Sequence, residues 1–262
     1  MRRRSSLAPP NRQAPPAAEV LSRLRARASP ANVAGMARYG ISTRGTLGVT
    51  VAELRRLARE LGAAPARARH RLASDLWDSG VHEARILAAI LDEPILVGEA
   101  QAERWAADLD SWDVCDQLCA SLLRRTAFAW RKVREWAGRE EPFVKRAGFA
   151  LATQLAVHDR DAPDADFLPV LALVEREAGD GRNYVRKAVS WALRCVGKRS
   201  PGLRRRAAAA ARRLAARPEP SARWVGRDAL RDLTGEAVRR RLSRRRRQPR
   251  TRPSTAPSGR TR

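Results

Sequence analysis

Tyr184-Val185-Arg186-Lys187-Ala188-Val189-Ser190-Trp191-Ala192-Leu193-Arg194-Cys195-Val196-Gly197-Lys198 is the stretch on which the fold turns. Val185, Val189, Ala192 and Val196 fall at i, i+4, i+7 and i+11, one apolar stripe of helical period that needs a core to face. The same outline returns on both sides. Lys145-Arg146-Ala147-Gly148-Phe149-Ala150-Leu151 and Arg223-Trp224-Val225-Gly226-Arg227-Asp228-Ala229-Leu230 share the basic start and the closing Ala-Leu pair, and Ala84-Arg85-Ile86-Leu87 is a fainter echo. Leu151, Leu193 and Leu230 stand 42 and 37 residues apart, close to the length of a two-helix HEAT-type repeat. The fold expected is therefore all-α: a HEAT-like α-solenoid, a right-handed superhelix of helix pairs with one helix of each pair lining a concave surface.

Punctuation along the chain agrees with helices throughout. Thr50-x-x-Glu53 is a capping box, Asp110 and Ser111 stand where they cap the segment that follows, and Pro94, Pro142, Pro163, Pro169 and Pro201 separate periodic runs. No stretch alternates convincingly as a strand. Residues 1–30 contain five prolines and few large apolar side chains, and residues 239–262 are an arginine run followed by proline, serine and threonine. Neither repays the entropy of ordering, so disordered basic tails are expected around a repeat domain at 31–238.

The charge is strongly positive. Of 262 residues, 53 are Lys or Arg and 28 are Asp or Glu, a net of +25, and only Lys132, Lys145, Lys187 and Lys198 are lysines. The two tails hold eighteen of those bases and one acid, so the body between them is 35 against 27, or +8. A moderately basic body favours a polyanionic partner. Apolar runs such as Ile86 to Leu91 fall far short of the roughly 20 residues of a membrane span, and no apolar run follows Arg2-Arg3-Arg4 as a secretory signal requires. The arginine-bearing, acid-poor start leaves an organelle transit peptide as a minor alternative. Cys115, Cys119 and Cys195 form no CxxC and fit a reduced compartment. His70, His82 and His158 lack ligand spacing with one another or with the cysteines, so no metal and no cofactor is expected. No P-loop, dinucleotide fingerprint or Gly-x-Ser-x-Gly elbow occurs.

Three segments carry candidate chemistry. Lys187, Trp191, Arg194 and Lys198 share a second face of the Tyr184 to Lys198 helix, a basic ridge with an aromatic in its middle that suits a sugar-phosphate backbone. The same pattern also fits a Trp191 that fills a gap between repeats beside solvated cations. In Asp110-Ser111-Trp112-Asp113-Val114-Cys115-Asp116-Gln117, Trp112 and Asp116 lie one turn apart on one face, where an indole and a carboxylate can together stabilise a cation. Alternatively Asp116 pairs with an arginine, and Asp113 complements the helix dipole. Lys145 and Arg146 open the third segment, where two cations oppose the dipole unless an anion, either Asp116 or a phosphate, compensates. Trp77, Trp105, Trp130, Trp136 and Trp224 read as packing residues.

Taken in order, Met36-Ala37-Arg38-Tyr39-Gly40-Ile41, Gly48-Val49, Leu54-Arg55-Arg56-Leu57-Ala58, His82-Glu83-Ala84-Arg85, Ser111-Trp112-Asp113-Val114-Cys115-Asp116, Phe143-Val144-Lys145-Arg146-Ala147 and Arg186-Lys187-Ala188-Val189-Ser190-Trp191-Ala192-Leu193-Arg194 resemble the DNA alkylation repair family of AlkD-type alkylpurine DNA glycosylases, from about residue 33 to 240. The resemblance implies a HEAT-like solenoid that cradles double-stranded DNA and hydrolyses the N-glycosidic bond of N3- or N7-alkylated purines, as a monomer without metal. By position it makes Asp116 the catalytic carboxylate, Trp112 and Trp191 the sugar-facing indoles and Arg146 the active-site cation, with Lys145 taking that place if the register moves by one. Arg194 matches a phosphate contact, with Lys145, Lys187 and Lys198 as further candidate DNA contacts. Tyr39 is nearest to the family's N-terminal aromatic. A bacterial cytoplasmic location is the corresponding expectation, and a non-enzymatic HEAT scaffold for nucleic acid or protein is the alternative.

Overall fold

The computed structural model describes residues 13–236. Among them are thirteen α-helices, two short 3-10 turns and no strand. Two layers form from them. The inner layer is α3 (Val51–Leu61), α5 (His82–Leu91), α7 (Trp112–Ser121), α9 (Pro142–His158), α11 (Asn183–Gly197) and α13 (Pro220–Thr234), each packed on the next. Behind them lie α4 (Ala66–Asp78), α6 (Glu99–Ala107), α8 (Ala129–Trp136), α10 (Leu168–Glu177) and α12 (Pro201–Ala215). Short α1 (Ala17–Arg25) and α2 (Pro30–Ala37) precede the stack.

Local chemistry sets the helix ends. Thr50 Oγ1 accepts from the Glu53 amide at 3.3 Å while Glu53 Oε2 accepts from the Thr50 amide at 2.9 Å, so the expected capping box closes on α3. Pro142, Pro201 and Pro220 open α9, α12 and α13, where a missing N–H costs nothing. Ser111 does occupy the cap of α7, but its hydroxyl donates to Asp113 instead of accepting from the backbone.

The proline-rich start is not structureless throughout: α1 buries Val20 and Leu24 completely against α4 and α5. Two fully buried leucine-sized anchors one turn apart are enough because the solenoid already offers them a groove. Residues 1–12 and the tail from 239 lie outside the described residues.

The core follows the apolar stripes. Val185, Val189, Ala192 and Val196 are all fully buried, and α9 is buried on every side from Val144 to Ala156, as befits the central helix of the stack. Glycine makes two approaches possible. A Cβ on Gly148 would stand 2.5 Å from the Ala137 amide nitrogen, and one on Gly226 2.4 Å from that of Ala215, so inner and outer helices meet backbone to backbone there. Trp77 and Trp105 stack at 4.2 Å in the outer layer, and Trp136 of α8 is fully buried.

Candidate active site

Asp116 projects from α7 and Arg146 from the first turns of α9. They meet through a two-pronged pair, Arg146 Nε to Asp116 Oδ1 at 3.0 Å and Nη2 to Oδ2 at 2.8 Å. The third nitrogen, Nη1, donates to the Tyr184 carbonyl at the start of α11 at 2.7 Å, so one guanidinium joins three consecutive inner helices. Its carbon lies 5.8 Å from the centre of the Trp112 ring. The Arg146 side chain is 7% exposed and that of Asp116 19%, so the carboxylate is the part of the pair that solvent reaches. Burial pushes the Asp116 carboxyl above its ordinary range against the opposing pull of Arg146, and Arg146 is held more firmly protonated because Asp116 outweighs its own burial.

The surroundings hold this cluster in place. Cys115 and Cys119 direct their thiols at the carbonyls of Phe143 and Ala147, at 3.7 and 3.5 Å, which sets the approach of α7 to α9. Burial pushes the Cys115 thiol far up, so it packs and does not react. His82 of α5 contacts Asp113 Oδ2 at 2.8 Å, and Ser111 donates to the other oxygen of that carboxylate, fixing the first turn of α7 from which Trp112 and Asp116 project. Burial opposes both charges, yet the contact wins: His82 is raised and Asp113 lowered. From the other side the segment after α2 reaches over. Trp112 Nε1 donates to the Tyr39 carbonyl at 3.1 Å and the Tyr184 hydroxyl to the Gly40 carbonyl at 2.9 Å, while Tyr39 as a residue is 73% exposed.

With this geometry in view, the sequence profile of the DNA alkylation repair enzyme family matches residues 20–233. The chain belongs to that family. A solved structure described as a new family of proteins related to the HEAT-like repeat DNA glycosylases, with affinity for branched DNA structures, is 16% identical with a TM-score of 0.71, and the match covers 87% of this chain and 96% of that one. At that identity the likeness establishes the HEAT-like fold. No curated protein matches the chain.

In this DNA alkylation repair family member, Trp112, Asp116 and Arg146 are thus joined by direct contacts. Trp191 is half-buried on α11 and packs against the core, seven residues beyond Tyr184 on the same helical face, with no hydrogen bond or ring stack among the described residues. Lys145, expected among the DNA contacts, is buried and turned the other way. Its ammonium lies 2.8 Å from Glu177 and 3.4 Å from Asp180, the pairing that a buried cation needs. Asp180 is itself held down to about 2, chiefly by Arg182. The ridge on α11 is also partly neutralised: Arg194 lies 3.4 Å from Asp228 and 3.6 Å from Asp232, and Lys198 pairs with Asp232. These pairs are partly exposed and each is worth about 0–1 kcal/mol. Lys187 is exposed and makes no pair among the described residues.

Sequence reading passed over Tyr184 and the His82–Asp113–Ser111 brace. A tyrosine two turns before Trp191 on one face was the available signal for the first. The second joins residues 31 apart and had none.

Proposed function

We propose that this chain is a DNA glycosylase that hydrolyses the N-glycosidic bond of cationic N3- or N7-alkylated purines in duplex DNA. One observation carries the reading: a solvent-reachable carboxylate, Asp116, gripped by a buried arginine beside the Trp112 indole, on the inner layer of a HEAT-like stack. Arg146 occupies one acceptor site on each oxygen of Asp116. A carboxylate has about four such sites, so those that remain can orient a water or face a positive sugar.

The leaving purine is already positively charged. When its bond to C1′ breaks, the electron pair goes to the ring nitrogen and the base departs neutral, without a general acid. The sugar left behind has oxocarbenium character. Asp116 stabilises it and takes the hydrogen bond of the attacking water, whose oxygen joins C1′ and whose proton passes to solvent. Trp112 on α7, and Trp191 on α11 across α9, offer π faces to the same charge, worth about 0.5–2 kcal/mol each. Arg146 positions the carboxylate and keeps it ionised. No cofactor or metal has a role in this scheme.

The test is release of N7-methylguanine or N3-methyladenine from methylated duplex DNA, with Asp116→Asn lowering the rate at least about 100-fold. An inactive wild type, or a fully active Asp116→Asn, refutes it. A second reading, a DNA-binding member without excision, draws on the branched-DNA affinity described for the similar structure. It requires salt-sensitive DNA binding with no base release and indifference to Trp112→Ala and Trp191→Ala.

A further inference from the structure

Trp224, on the inner-layer helix α13, is not fully buried as Trp77, Trp105 and Trp136 of the outer layer are. It is half-buried and lines a cavity of about 370 Å³ together with Pro220, Arg223, Arg227, Asp228 and Arg231. The helix period explains the grouping. Ala222, Val225, Ala229 and Leu233 take the buried face of α13, and Trp224, Arg227, Asp228 and Arg231 are left on the open one.

The cavity has an unbalanced charge. Its single carboxylate, Asp228, is already shared, accepting from Ser190 Oγ at 2.6 Å and lying 3.4 Å from Arg194, besides pairing with Arg231. Arg227 is exposed and makes no hydrogen bond or ion pair among the described residues. Among the described residues Arg223 donates to the carbonyls of Arg217 and Pro218, with the Glu219 carboxylate as its nearby charge. From α11, Arg186 lays its guanidinium 4.6 Å from the centre of the Trp224 ring; its Nη2 donates to Asn183 Oδ1 at 3.3 Å, and its Nε is buried without an acceptor among the described residues. An anion is what the site lacks.

We propose that this cavity is a second nucleic-acid subsite that takes an unpaired nucleotide of a DNA strand, its base against Trp224 and its phosphates on Arg227 and Arg231. Three features select that occupant. An indole beside guanidinium groups matches a ligand that joins a π face to a phosphate, which an acidic peptide does not offer. Arg223, Arg227 and Arg231 recur every four residues, about 6 Å of helix per step, the scale on which phosphates follow one another along a strand. A cavity of about 370 Å³ has room for a base, and an unpaired base offers it the free face that a paired stack does not. The chain's own tail is a poor occupant, because residues 239–262 hold eleven arginines and no acid. Asp228 forms the wall between the cavity and Arg194 on the α11 ridge, so a strand that follows the ridge runs into it. The inference rests on the reading of the partner as DNA and not on base excision.

The experiment compares unmodified blunt duplex with the same duplex carrying a single-stranded thymidine tail, by fluorescence anisotropy on the full chain. The wild type is expected to favour the tailed duplex. Trp224→Ala should weaken that complex about tenfold, Trp224→Phe should restore most of it, and Arg227→Ala should weaken it and lower its salt slope by about one, with blunt-duplex affinity little changed. No preference for the tail, tailed-duplex affinities at the wild-type level in the variants, or equal losses on both DNAs would overturn the proposal. Should Trp224→Ala fail to fold, the exposed Arg227 decides alone. Because the readout is binding, a protein that excises nothing still gives it, and one that excises but ignores the tail refutes this inference only.

Discussion

Replacing Arg146 with alanine strips Asp116 of both its charged donors and leaves the Tyr184 carbonyl without its partner. Breaking a buried pair by removing one member costs about 3–5 kcal/mol, and the 19% exposure of Asp116 places this case near 3. The orphaned carbonyl adds about 1 kcal/mol. A total near 4 kcal/mol corresponds to a Tm lowered by roughly 8–16 °C in a body of this size. The charge component depends on pH with a definite sign. Without Arg146, the folded-state pKa of Asp116 rises further above its unfolded value, so the folded variant binds the proton more tightly than the unfolded chain does. Its stability is then preserved at acid pH and lost as pH rises through that folded pKa. Urea unfolding followed by tryptophan fluorescence should show the deficit relative to wild type smallest at acid pH, where Asp116 is protonated in the folded variant, and growing to its full size as pH rises towards neutrality. The double variant Asp116→Asn, Arg146→Met, which removes both charges, should recover most of the loss. A deficit that is flat with pH, or absent at neutral pH, would refute the account of a desolvated carboxylate held by one guanidinium.

Two further outcomes follow from the braces around the site. Gly40 has φ +73°, and a Cβ there would stand within 2.2 Å of the Tyr184 hydroxyl, so no distance is left for the hydrogen bond to its carbonyl; Gly40→Ala should cost about 1–2 kcal/mol in backbone strain alone, read as a lowered Tm, with Tyr184→Phe relieving part of the clash. His82 is raised above 6.5 by Asp113 despite its burial, so its contribution is full below the unfolded pKa and disappears as pH rises through the folded one; the Tm gap between wild type and His82→Gln should therefore narrow between about pH 6 and 9, and a gap that widens would reverse the assignment.

How much of this was legible in the sequence differs from residue to residue. The stripe at Val185, Val189, Ala192 and Val196 is a local pattern, and local patterns survive folding because a helix has one buried face. The need for an anion near Lys145 and Arg146 was also legible, from two cations opposing a helix dipole. Which cation met Asp116 was not. Adjacent residues on a helix point about 100° apart, so one of the pair faces α7 and the other Glu177 and Asp180, and only the rotation of α9 against its neighbours decides between them. Trp224 does pack against the core as a tryptophan's composition suggests, but its spacing from Asp228 and Arg231 also brings its edge to the open side of α13, which composition alone does not show. The α1 helix was hidden because two anchors, Val20 and Leu24, carry it among prolines and arginines.

The hardest feature to read was the one that closes the site. In a solenoid each repeat touches only its neighbours, so stability propagates along the stack while curvature stays soft. The segment Tyr39–Gly40 departs from that rule, because its two carbonyls accept from Trp112 on α7 and Tyr184 on α11, 73 and 144 residues away. Tyr184 is also the residue whose carbonyl takes the third donor of Arg146. The N-terminal segment, the indole, the guanidinium and α11 thus form a closed circuit around Asp116, and a change of curvature must break a bond somewhere in it. Two neutral hydrogen bonds contribute only about 1–3 kcal/mol together, whereas the charged pair inside the circuit costs more to separate. The carbonyls of Tyr39 and Gly40 are therefore the weakest links of the circuit, and the carboxylate with its arginine the strongest.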